Sequence, residues 1–131
     1  MYKRIKLMVV ALMANIVIAN AQTAAPAWPQ MKTFHSYMAA TFHPAEEGNF
    51  GPLKSKSDSL LIVAKLWQDS PIPSNYKNEE TKTALKKLVK QCESVNKAVI
   101  KKSPDEELKK EITEAHEIFH HIVGECKKEV E

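Results

Sequence analysis

SPDEELKKEITEAHEIFHHIVGEC, residues 103–126, is the stretch that decides the fold. Its apolar residues Leu108, Ile112, Ala115, Phe119, Ile122 and Cys126 recur at intervals of 4-3-4-3-4, and Lys, Glu and His fill most positions between them. A period near 3.5 gathers those six side chains on one narrow seam of a helix and leaves the rest to water. Ser103-Pro104-Asp105-Glu106 supplies the start signal: a capping box from Ser103 to Glu106, with Pro104 at the first helical position. The spacing predicts a helix over about 104–127.

Moving towards the N-terminus, the same rhythm appears in Leu85, Leu88, Cys92, Val95 and Val99, which predicts a helix over 79–100. Asn78 is placed to cap it, with Glu79 and Glu80 beside its positive end. DSPIPSNYKN (69–78) reads as a loop. The run LLIVAKLW (60–67) is apolar at seven of eight positions, so a helix over 53–68 is expected to be covered on more than one face. Ser55, Ser57 and Ser59 are explained as capping residues near its start. HPAEEGNFGP (43–52) is a second loop. A first helix is predicted over 29–42, with Trp28, Met31, His35, Met38 and Phe42 as its inward seam and Pro44 as the reason it stops. Short connections leave no room for a crossover. The fold class is therefore all-α, an antiparallel up-down-up-down four-helix bundle over residues 28–131.

Residues 1–21 have a different character. Met1-Tyr-Lys-Arg-Ile-Lys6 is basic, Leu7 to Ile18 is apolar apart from Asn15, and Ala19-Asn20-Ala21 is a small-x-small site. That order reads as a secretory signal peptide cleaved after Ala21, followed by a flexible segment QTAAPA (22–27). The apolar run is about 12 residues, against about 20 for a spanning helix, so no membrane anchor is expected after cleavage. The expected location is periplasmic or secreted.

Cleavage would change the charge. Of the 19 basic residues, Lys3, Arg4 and Lys6 leave with the leader, so 16 Lys face 16 Asp plus Glu and no Arg remains. A neutral domain without Arg is a poor reader of phosphate or base edges, so no nucleic-acid partner is expected.

Cys92 and Cys126 would meet an oxidising compartment. With the last two helices paired about residue 102, Cys92 lies level with about residue 112 and Cys126 with about residue 78. That is an offset of roughly 20 Å at 1.5 Å per residue, beyond disulfide reach, so no disulfide is predicted.

All five histidines fall in the first and last helical segments. His35 sits in the expected apolar seam, where a buried imidazole needs a partner at each nitrogen. His116 and His120 form H-x-x-x-H, two imidazoles one turn apart on one face. His43, Glu46 and Glu47 lie in a loop expected to reach that face. His35, His43, His116 and His120, with Glu46 and Glu47 as oxygen donors, make a candidate metal site, and an imidazole-rich set suits a copper or zinc ion. Glu117 and His120 also match E-x-x-H of di-iron bundles, but Glu117 lies on the outer face and no second copy exists.

An exported bundle of this size, with a Met early in the first helix and a His near the end of the last, resembles the four-helix cytochromes. That resemblance implies a haem b clamped between Met31 or Met38 and His120 or His116. The c-prime members attach haem through C-x-x-C-H, and the corresponding Val123-Gly-Glu-Cys126-Lys-Lys-Glu-Val departs from it. The leading expectation is thus an exported, non-catalytic metal-binding bundle. A haem-binding electron-transfer protein and a structural or partner-binding bundle without cofactor are the alternatives. No nucleophile, base and orienting acid fall at a recognisable spacing, so an enzyme is not expected.

Overall fold

The computed structural model describes residues 27–129; the expected leader (1–21) and most of the segment 22–27 lie outside the described residues. Four helices follow: α1 (Pro29–Glu46), α2 (Gly51–Asp69), α3 (Asn78–Ile100) and α4 (Asp105–Glu125). α1 packs on α2 and α4, and α3 packs on α2 and α4, while among the described residues the backbones of the diagonal pairs stay apart and α2 meets α4 only through side chains such as Trp67 with Phe119. The described residues form a four-helix bundle.

Particular bonds fix the direction of each neighbour. The Trp28 indole N–H at the start of α1 donates to Ser70 Oγ at the end of α2 (2.7 Å). Ser57, in the first half of α2, donates to Asn96 Oδ1 near the end of α3 (2.9 Å). Gln91 Nε2 of α3 donates to the Glu111 carbonyl of α4 (2.9 Å), and the Lys77 N–H donates to the Cys126 carbonyl (2.8 Å). Sequential helices therefore run antiparallel, and the last two pairings set residue 91 level with 111 and 77 with 126. None of the described helices is long and apolar enough to cross a membrane.

α3 and α4 bury the residues their rhythm marks, except Val99, which is only half-buried. Leu85, Leu88, Cys92 and Val95 on one, and Leu108, Ile112, Ala115, Phe119 and Ile122 on the other, are all within the core. Pro104 stands one place before α4 as its N-cap, and neither α3 nor α4 has a side-chain cap. The first carbonyl bonds of α4 are taken by Pro104 itself, from Glu107 and Leu108 N–H.

α1 departs from expectation in phase and in length. Its buried residues are Phe34, Met38, Thr41, Phe42 and Ala45, whereas His35 is exposed and Met31 only half-buried. The expected seam was phased from Trp28, but Trp28 precedes the helix with non-helical φ −120 and ψ 86. Counted from Phe34, the seam reads 34-38-41-45, turned by about 60° from the expected one, with Met38 and Phe42 buried in both readings. The apolar Phe34 ring takes the interior, because an imidazole there would have to find two buried partners. Thr41, the polar member of the seam, donates its hydroxyl back to the Tyr37 carbonyl (2.8 Å).

α1 also runs through Pro44 to Glu46. Proline removes the bond to the Ala40 carbonyl, a loss confined to the last turn. The turn is held by burial of Ala45 and by the Pro44 carbonyl, which accepts from Glu47 N–H (3.1 Å) and Asn49 N–H (2.8 Å). Gly48, at φ +87, then reverses the chain. His43 and Glu46 are thus on a helix, not in a loop.

α2 is covered on one face only. Leu60, Val63, Ala64 and Trp67 are buried, but Ile62 and Leu66 are more than half exposed (57% and 56%). Because α2 begins at Gly51, Ser57 lies well inside it and serves the α2–α3 contact; α2 has no side-chain cap.

The interior is aromatic. Phe34 lies 5.2 Å from Trp67 and 5.7 Å from Phe119, and Trp67 lies 6.0 Å from Phe119, measured between ring centres. Trp28 meets Trp67 and Tyr76 edge-on at 5.5 and 4.9 Å. Contacts of this kind contribute about 0.5–1.5 kcal/mol each beyond area burial.

Candidate metal centre

The α1–α4 seam carries the histidines, and two phenyl rings position them. On α4, His116 stacks on Phe42 of α1, with ring centres 3.7 Å apart and planes 12° from parallel. On α1, His35 stacks on Phe119 of α4 at 5.1 Å and 18°. Both phenyl rings are buried, so each imidazole lies as a lid on the edge of the core.

The i, i+4 spacing of His116 and His120 then does what it promised. Their Nε2 atoms are 3.0 Å apart and their rings nearly perpendicular at 79°. At that separation one Nε2 donates a proton to the other, which requires two different tautomers, or both lone pairs are shared with a cation. Two protonated rings would repel. Burial holds His116 below the ordinary imidazole range, the positive charges of His120 and His43 push the same way, and Glu46 and Glu117 oppose them. The neutral, ligating form of His116 is therefore favoured near neutrality.

His43 and Glu46 stand at the rim. The His43 ring centre is 6.4 Å from that of His116, and His43 Nδ1 is 3.4 Å from Glu46 Oε2. Both are exposed. Glu47, the residue that ends α1, is exposed and meets none of these histidines. His121 points elsewhere, pairing through Nδ1 with Glu125 Oε2 at 2.8 Å.

Six expected metal ligands are thus not brought to one point, and among the described residues no group of three or more His, Cys, Asp or Glu side chains is placed to hold a metal ion. His35 is a correction: it is solvent-facing and stacks on Phe119, and no hydrogen bond joins it to His116 or His120. Only His116 and His120 are brought together, with the His43 ring centre 6.4 Å from that of His116 and Glu46 beside His43. What the histidine pattern did not reveal is the part played by Phe42 and Phe119, whose signal was their place on the seams facing each other.

The haem arrangement does not fit these residues. Met38 is fully buried while His120 is exposed, and the touching rings of Phe34, Trp67 and Phe119 fill the space a porphyrin would need between the helices. Met31, half-buried, packs on the same core.

Cys92 and Cys126 are free thiols, both buried. Burial, helped by Glu93, pushes Cys92 up to about 12, and burial likewise raises Cys126. Both are protonated at neutral pH and poor nucleophiles or metal ligands. No family model, no curated protein and no solved structure matches this chain.

Proposed function

We propose that this is an exported, non-catalytic metal-binding bundle that captures a copper or zinc ion on its surface through His116 and His120. The 3.0 Å approach of the two Nε2 atoms carries this reading. Two nitrogens bound at 2.0–2.1 Å are about 2.9 Å apart at a right angle and about 3.3 Å apart at the tetrahedral angle. The observed spacing lies nearer the first, so copper(II), which favours square-planar sites, is preferred over zinc.

The Phe42 stack supports the reading by fixing one ring before a metal arrives, which lowers the ordering cost of binding. The depressed proton affinity of His116 supports it as well, since a proton competes with the metal for the same lone pair. His43 and Glu46 are the groups within reach to complete the coordination, with water in what remains. An open, two-anchor site suits capture and release better than a closed structural site does. The leader sequence, read as a signal peptide, places this work outside the cytoplasm, where a copper chelator would meet its ion.

Titration of the purified protein with copper(II), followed by electron paramagnetic resonance, tests the proposal. The expected spectrum shows nitrogen coupling at one equivalent in the parent, and its loss in the His116→Ala, His120→Ala double variant. A His35→Ala variant should bind as the parent does. If the parent gives only the spectrum of free copper, and neither copper nor zinc raises its melting temperature, the reading is wrong.

A further inference from the structure

The face formed by α3 and α4 carries its charge in two separated ridges. A furrow runs along it. Its widest part, about 480 Å³, is floored by Ala84 and Ile118 and ends at Lys87. It continues into a groove of about 390 Å³ that shares Lys87 and Ile118, and then into a third that shares Ser94.

Along the two narrower grooves Lys87, Lys90 and Lys97 stand on the α3 wall and Glu107, Glu114 and Glu117 on the α4 wall, whereas the widest part has Glu79 and Glu80 on its α3 wall and His121 on its α4 wall. Opposite charges so close would be expected to bridge the furrow. Yet among the described residues no ion pair joins α3 to α4. Glu111 is occupied by Gln91 instead, at 2.7 Å. Along the two narrower grooves the ridges are therefore left facing outward, basic on the α3 side and acidic on the α4 side.

We infer that this face pairs with the same face of a second copy about a two-fold axis parallel to the helices. Such an axis preserves height along the bundle and exchanges the two sides. It lays α3 of one copy on α4 of the other, lysine ridge against glutamate ridge in both directions. Heights agree, because the Gln91–Glu111 bond sets Lys87 and Lys90 level with about residues 112–115 of α4, and Lys97 level with about residue 105. The other two-fold axis in that plane would set lysine against lysine, so charge selects one dimer from the two.

A face about 20 Å wide and about 35 Å long offers roughly 700 Å² per copy, near the size of a standard interface. Ala84, Ala98 and Ile118 give its centre little apolar bulk, and exposed ion pairs contribute about 1 kcal/mol or less each. The dimer is therefore weak and salt-sensitive. It leaves the His116–His120 pair open on the opposite flank of α4.

Sedimentation equilibrium on the purified protein tests this. At about 20 mM salt the expected mass is that of a dimer, falling to that of a monomer at about 0.5 M. Lys87→Glu with Lys90→Glu, and Glu114→Lys with Glu117→Lys, should each be monomeric while keeping the parent helical circular dichroism. Mixed in equal amounts the two variants should associate, since the reversed positions again face residues of opposite sign. A parent monomeric at low salt, reversed variants that still dimerise, or a mixture that stays monomeric would each overturn the inference, the first leaving the face to a different protein.

Discussion

Two imidazoles lie on two phenyl rings across the α1–α4 seam, and they differ in what their nitrogens meet. His116 lies on Phe42 and brings Nε2 to within 3.0 Å of another imidazole. His35 lies on Phe119, and no hydrogen-bond partner among the described residues meets either of its nitrogens. The stacking is common to both, so an imidazole resting on a core ring is a packing event and not by itself a sign of ligation. What separates them is the helical neighbour four residues away: His120 for His116, and Ala39 for His35. Convergence of lone pairs, not burial or aromatic contact, marks the candidate site.

The largest expected effect breaks the shared part of the comparison. Phe119→Ala removes a ring that touches Phe34, Trp67 and His35 at once. The expected loss is about 3–5 kcal/mol, or about 15 °C or more in Tm for a domain of this size, read by thermal denaturation. A loss under about 1 kcal/mol would mean the core reorganises around the gap and the platform is not rigid. The next effect separates the two histidines. His116→Ala should weaken copper(II) binding by more than about a hundredfold, since even second-sphere changes cost 10–100-fold, while calorimetry on His35→Ala should match the parent.

A pH series sharpens the difference further. His116 binds its proton less readily in the folded state than in the unfolded chain, with burial as the main cause. The unfolded state then takes up more protons as pH falls through about 6.5, so this residue's contribution to stability is complete above that value and shrinks below it. Urea denaturation at pH 7.5 and 5.5 should show a smaller acid loss in His116→Gln, which cannot titrate, than in the parent. Equal losses would show that His116 is not held neutral by its surroundings.

The parts of this arrangement that can be read from residues alone are those governed by local spacing. The seams of α3 and α4 follow from repeats that lie wholly inside a helix, and the His116–His120 approach follows from an i, i+4 pair. α1 was misphased because Trp28, the largest apolar residue near its start, sits outside the helix and belongs to a cap. Its length was misjudged because Pro44 falls in the last turn, where the lost bond is affordable and the burial of Ala45 outweighs the proline penalty. Pairings between distant helices, such as Phe42 with His116, depend on how α1 is rotated, and a rotation of about 60° is enough to exchange His35 for Phe34 in the core. The lysine and glutamate ridges are each regular in the sequence, but their meaning rests on which faces α3 and α4 turn to each other.

The smallest effect is expected at His35. Replacing it with Leu removes two solvated nitrogens and leaves an apolar side chain able to cover the same Phe119 ring. Leu is also the better helix former, by a few tenths of a kcal/mol. The exposed setting limits the net change to within about 0.5 kcal/mol, with Tm level or slightly raised. Copper stoichiometry should be unchanged, because the converging nitrogens are those of His116 and His120 and His35 adds none to them. If His35→Leu instead costs 2 kcal/mol or lowers the copper stoichiometry, its nitrogens have partners after all, and the contrast between the two stacks fails at the residue where it is most exposed to disproof.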